Sequence, residues 1–271
     1  MSVVGAALMC HAPIVVPAIG GTRGAASART TAAMRALARQ AMAARPDVLL
    51  VVSPHAPRAR GAWLLAADDP TEGDFGPFGH PEVGVSLPFD TRSARALLAT
   101  ATQADLPVGA AELGPLDHGA LVPLWFLAET GWSGPTLRLA LPAQPTPEGC
   151  LRMGRAIAAA AEQDGRDWLL VCSGDMSHRL QPGAPAGHHP DGRRFDETLV
   201  RHFEAGDWEA LARIDPVLRA RAAEDVLDSL LVGLGATETA PRRHELLSYE
   251  GPFGVGYPVG WIHRPATAAA T

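Results

Sequence analysis

Lysine is absent from this chain: all 23 basic side chains among its 271 residues are arginines. A Walker-type phosphate loop, a pyridoxal Schiff base and a kinase strand lysine each need a primary amine, so those enzyme classes are excluded. Cysteine is scarce. Cys10, Cys150 and Cys172 are scattered and none forms a CxxC pair, which excludes a disulfide framework and a zinc knuckle and leads us to expect a reducing, cytoplasmic setting. No apolar run approaches the roughly 18 residues of a membrane span, and the apolar start carries no basic residue before Arg23, so it reads as a first strand. Positive charge is also in short supply. A formal net charge of −6, with no basic cluster longer than an Arg-Arg pair, argues against nucleic acid and against an anionic membrane. A serine hydrolase is disfavoured because no GxSxG elbow occurs. The partner that remains is a small molecule.

Apolar residues are plentiful, at 47%, enough to bury the core of one α/β domain. The expected architecture is a central mixed, largely parallel sheet flanked by helices. A single domain over residues 1–265 is expected, with a disordered tail at 266–271. The chain is organised around Val48 to Pro57, VLLVVSPHAP, where an unbroken apolar run ends in a histidine between two prolines. Such a run without polar alternation suits a strand covered on both faces. The pattern recurs in Val3 to His11, VVGAALMCH, and in Trp168 to His178, WLLVCSGDMSH. Functional groups in open α/β sheets collect at strand ends, so His11, His55 and His178 are expected to face one crevice.

Between these units, Ala25–Ala44, Thr91–Ala104 and Thr146–Gln163 read as helices. Gly61–Ala67 and Leu137–Leu141 read as strands. Asp68–Pro88 and Gln181–Arg194 read as long Gly/Pro-rich loops, and Val217–Leu234 as one helix carrying Glu224, Asp225 and Asp228. His80, His188, His189, His202, His244 and His263 read as solvated. Tyr249 and Phe253 read as core and turn rather than as a ring-stacking pocket.

Two imidazoles and one carboxylate around a divalent metal, with open positions left over, form the facial triad of non-haem Fe(II) oxygenases. The order HAPIVVP (11–17), SPHAP (53–57), DHGALVPLWFL (117–127), SGDMSH (173–178), RRFDETLV (193–200) and SYEGPFGVGY (248–257) spans nearly the whole chain. It resembles the class III extradiol ring-cleavage dioxygenases, the superfamily of the protocatechuate 4,5-dioxygenase β-subunit and the Memo-like proteins. The resemblance implies that His11 and His55 bind the metal, that His178 is the acid/base histidine and that His118 lines the oxygen and substrate pocket. At the third ligand this chain departs from the pattern. Relatives carry a glutamate there, or a cysteine in the Memo-like branch, and the same spacing back from Gly235 falls here on Asp225, with Glu224 beside it. On one helix only one of these adjacent acids can face the metal, and Asp225 is preferred. Asp175 is placed to orient His178 or to support a metal ligand, or else to cap the following turn.

The function expected from the resemblance is Fe(II)-dependent extradiol cleavage of a catechol or aminophenol ring with O2. The working unit would be a homodimer, or this chain with a small partner subunit. The alternatives are a Memo-like metal-binding protein without ring cleavage and a zinc hydrolase using the same ligands.

Overall fold

The computed structural model describes residues 2–240 and 243–266. In chain order its elements are β1 (Val3–Met9), α1 (Pro17–Gly20), α2 (Ala28–Ala43), β2 (Val48–Ser53), β3 (Trp63–Ala66), β4 (Thr71–Phe75), β5 (His80–Leu87), α3 (Thr91–Gln103), β6 (Val108–Ala111) and α4 (His118–Glu129). They continue with β7 (Thr136–Ala140), α5 (Pro147–Asp164), β8 (Trp168–Ser173), α6 (Pro190–Ala205), α7 (Trp208–Ala212), α8 (Pro216–Ala222), α9 (Leu227–Ala236), β9 (Glu245–Glu250) and β10 (Tyr257–His263). The tail expected at 266–271 lies outside the described residues apart from Ala266.

Eight strands form one sheet in the order β6-β3-β7-β2-β8-β1-β10-β9. The central four, β7, β2, β8 and β1, are mutually parallel, while β3 and β10 join antiparallel on either side. The expectation of a mixed, largely parallel sheet is therefore met. Its apolar runs are explained by burial on both faces. One face carries Leu8, Leu50 and Leu170 against Leu97 of α3, Ile157 of α5 and Leu230 of α9. The other carries Met9, Val51 and Val171 against Met34 and Leu37 of α2 and Leu121 and Leu124 of α4. Two of the expected helices, α3 and α5, begin at side-chain caps, with Asp90 accepting from the Arg92 N–H and Thr146 from the Gly149 N–H.

Three expectations need correction. Residues 68–88 are not an unstructured loop but mostly the hairpin β4–β5, in which Thr71 and Phe75 are buried and Glu72 and Asp74 are not. The period of two is present there but masked by the Gly, Asp and Pro content. Helix α6 begins inside the supposed loop 181–194, because Pro190 takes the first helical position and His189 caps it through Nδ1. The segment 217–234 is two helices, α8 and α9, broken where Ala223 adopts φ +53°.

Candidate active site

The strands β1, β8 and β2 lie side by side and parallel, so their carboxyl ends open on the same edge. His11, His55 and the Asp175–His178 segment follow those ends directly, and the site sits where an open α/β sheet places it. Nε2 of His11 lies 3.0 Å from Nε2 of His55, with the two rings nearly perpendicular at 87°.

The tautomer of His11 is set by a chain of groups that starts in α4. Pro123 has no N–H, so the carbonyl of Gly119, four residues earlier, loses its helical partner. The Ser173 hydroxyl donates to that carbonyl at 2.5 Å. Having spent its one proton there, Ser173 Oγ must accept from Nδ1–H of His11, 2.9 Å away. That leaves Nε2 of His11 as the atom directed at His55 and the cavity.

His55 is fixed through its backbone. Its N–H donates to Ser53 Oγ, and the Ser53 hydroxyl donates to Asp117 Oδ1 at 2.5 Å. Asp117 is also the N-cap of α4, accepting from the Ala120 N–H, so the same carboxylate positions the first helical residue, His118. The His118 ring stands 4.1 Å from that of His55 and 5.3 Å from that of His11.

Glu224 and Asp225 do not occupy successive helical positions, as their sequence context suggests, but the turn between α8 and α9. Asp225 Oδ2 is 3.1 Å from Nε2 of His55 and 3.5 Å from Nε2 of His11. Glu224 points elsewhere. It is a buried partner of Arg219 and accepts from the N–H groups of Val226 and Leu227 at the start of α9. The turn reaches the strand edge because Gly174 carries no side chain: a Cβ there would stand 2.4 Å from Cα of Val226. The Asp175 backbone then holds Asp225 twice, its N–H donating to Asp225 Oδ1 and its carbonyl accepting the Asp225 N–H.

Asp175 accepts the His11 N–H at 3.0 Å, so it supports the region around His11 and Asp225 rather than the imidazole of His178. His178 is oriented by α8, with Nδ1 donating to the Ala223 carbonyl at 2.8 Å and the backbone N–H to that of Ala222. Its Nε2 is left for the cavity. Burial opposes protonation of His11, but Asp175 and Asp225 outweigh it and raise its pKa to about 9. Burial also raises Asp225, yet His11 and His55 win and hold its carboxyl well below the usual range. Asp175, fully buried and facing Asp225, is pushed up. Burial, with His55 and His11 nearby, lowers His118 to about 4, so its imidazole is neutral at physiological pH.

This donor set fits a divalent metal. Ligand atoms about 2.1 Å from one ion lie about 3.0 Å apart at right angles and about 3.4 Å apart at tetrahedral angles. The three separations among His11 Nε2, His55 Nε2 and Asp225 Oδ2 are 3.0, 3.1 and 3.5 Å. His118 also brings a ligand nitrogen within 4.8 Å of those of His11 and His55. Above them opens a cavity of about 660 Å³ that His118, His178 and Asp175 also line.

Other parts of this wall were not legible in the sequence. Phe78, at the tip of the β4–β5 hairpin, stands 5.9 Å from the His118 ring, and Tyr257, Phe253 and Arg23 also line the cavity. Phe253 is thus a pocket residue and not merely part of a turn. Ser173 was visible only as the end of a strand, since its role depends on a carbonyl freed in another element. His188 and His189 do not line the cavity.

An alignment 268 residues long, covering 96% of this chain and 57% of the other protein's length, shows 31% identity to protein CA_C1420 of Clostridium acetobutylicum. The fold is shared with uncharacterized protein JW3007 from Escherichia coli K12, at TM-score 0.58 and 19% identity, over 84% of this chain and 91% of that one. Residues 5–260 match the family model of the catalytic LigB subunit of aromatic ring-opening dioxygenase. With that match running from the first strand to the last, the chain belongs to the LigB family of aromatic ring-opening dioxygenase subunits.

Proposed function

We propose that this chain is a non-haem Fe(II)-dependent extradiol dioxygenase that opens a catechol- or aminophenol-type ring with O2. The observation that carries the reading is the convergence of His11 Nε2, His55 Nε2 and Asp225 Oδ2 beside a cavity that the two histidines line together with His178 and His118. Iron bound by these three groups would supply open positions for the ring oxygens and for dioxygen, and the electron transfer that joins them. Each protein group has a separate task. Ser173 and Asp175 hold His11 in place from behind, while the carboxylate of Asp225 balances the charge of the cation. Nε2 of His178, free because Nδ1 is committed to the Ala223 carbonyl, takes the proton of a ring hydroxyl and later returns one. His118, neutral at physiological pH, offers a further hydrogen bond in the cavity without adding positive charge. The apolar wall formed by Ile14, Ile19, Phe78 and Val255 excludes water from the ring. In this reading the working unit is a homodimer, or this chain with a small partner subunit.

Metal analysis together with oxygen uptake on a panel of catechols and aminophenols tests the proposal. Stoichiometric iron with ring-dependent oxygen consumption supports it, whereas iron with no uptake on any ring overturns it. One observation favours a second reading. The third imidazole, His118, lies close enough to join His11 and His55 around one ion, and a site of three histidines and a carboxylate suits zinc. Purified protein holding zinc and no iron would point to a Memo-like binding role or to hydrolytic chemistry.

A further inference from the structure

The cavity is larger than a bare dihydroxylated ring needs, and its polar groups are unevenly placed. Its volume, about 660 Å³, falls within the range of sites for complete small-molecule ligands, about 300–1,000 Å³. The imidazoles and Asp175 gather at the strand ends, and most of the remaining lining is apolar. Arg23 is the charged exception. It is exposed, it opens the segment Arg23–Ser27 after the Gly20–Gly21 bend, and it lines the same cavity. Its guanidinium lies over the Phe253 ring, 5.9 Å from the centroid. Among the described residues it makes no ion pair, and the one carboxylate lining the cavity, that of Asp175, is buried behind His11 and committed to its backbone.

A guanidinium laid on an aromatic face keeps its in-plane N–H fork free, and that fork matches a carboxylate with two parallel hydrogen bonds. We propose that Arg23 is a specificity determinant of this pocket and that the substrate carries a carboxylate on a side chain remote from its ring hydroxyls. The ring lies at the His11–His55 end and the acid group at Arg23, with the apolar wall between. The placement of the ring hydroxyls rests on the ring-opening reading above, but the carboxylate site does not.

The test is binding under argon, measured by calorimetry for two matched pairs. One pair is 3-(3,4-dihydroxyphenyl)propanoate and its amide, and the other is 3-phenylpropanoate and its amide. The parent protein is expected to hold each carboxylate about tenfold more tightly than its amide, a difference suited to one partly exposed charge-assisted contact. Arg23→Gln should bring each carboxylate down to the affinity of its amide, and Arg23→Lys should restore part of the preference as a charge without a fork. A ratio near one in the parent, or the same ratio in Arg23→Gln, overturns the proposal. The phenyl pair separates the two readings, because it needs neither metal nor ring hydroxyls. An Arg23-dependent ratio in both pairs without oxygen uptake on the catechol would keep the carboxylate site and remove ring cleavage.

Discussion

Oδ2 of Asp225 lies 3.1 Å from Nε2 of His55 because the chain breaks between α8 and α9 just before it. The break separates two adjacent acids that a continuous helix would have left on its surface. Asp225→Ala is expected to abolish stoichiometric metal binding with the fold retained, and His11→Ala and His55→Ala should do the same. Glu224→Ala should keep the metal but lower stability by about 1–3 kcal/mol, since it strips the Val226 and Leu227 N–H groups of their acceptor and leaves Arg219 with Asp228 as its remaining carboxylate partner. Metal content and urea unfolding of each variant check this. Metal loss in Glu224→Ala with metal retained in Asp225→Ala would reverse the assignment.

Ser173 predicts a subtler effect. Ser173→Ala removes the acceptor for Nδ1–H of His11 and the donor to the Gly119 carbonyl. Without that partner the imidazole can turn or change tautomer, and metal affinity should fall by about 10–100-fold. Competition with a chromophoric chelator measures it. An unchanged metal dissociation constant would show that the hydroxyl does not set the ligand.

For His178 the expected signature is kinetic. His178→Gln should keep iron and bind a catechol, yet turn over about 10²–10⁴-fold more slowly. An iron-free variant would instead make His178 a ligand.

Asp196 gives a pH dependence independent of the metal. It is fully buried, accepting from the Ser177 N–H and the Tyr249 hydroxyl, and burial outweighs those bonds to raise its pKa from 3.8 to about 7. The carboxyl binds its proton more tightly in the folded state. Its contribution to stability is therefore full below about pH 4 and is lost as pH rises through about 7, by up to roughly 4 kcal/mol. Asp196→Asn keeps an acceptor for Ser177 and a polar partner for Tyr249 but removes the titration. Urea midpoints from pH 4 to 8 should show the parent losing ground to the variant as pH rises, and parallel curves would contradict this.

Much of the site could be read from the sequence because it depends on local rules. Unbroken apolar runs such as Val48–Val52 imply strands buried on both faces, and the residues just past such strands are confined to one edge of the sheet. His11, His55 and His178 follow from that alone, and the order of short motifs around them carried the family. Tertiary structure decided what no local rule encodes. Whether Glu224 or Asp225 faces the histidines turned on one residue, Ala223, leaving helical φ so that the turn could settle against Gly174. The tautomer of His11 turned on Ser173 meeting a carbonyl that Pro123 had freed in α4. Arg23 and Phe78 entered the cavity because a short segment and a hairpin happen to be packed over the strand ends. Each of these contacts joins residues distant in sequence, and its energy exists only once the sheet and its helices have closed around them.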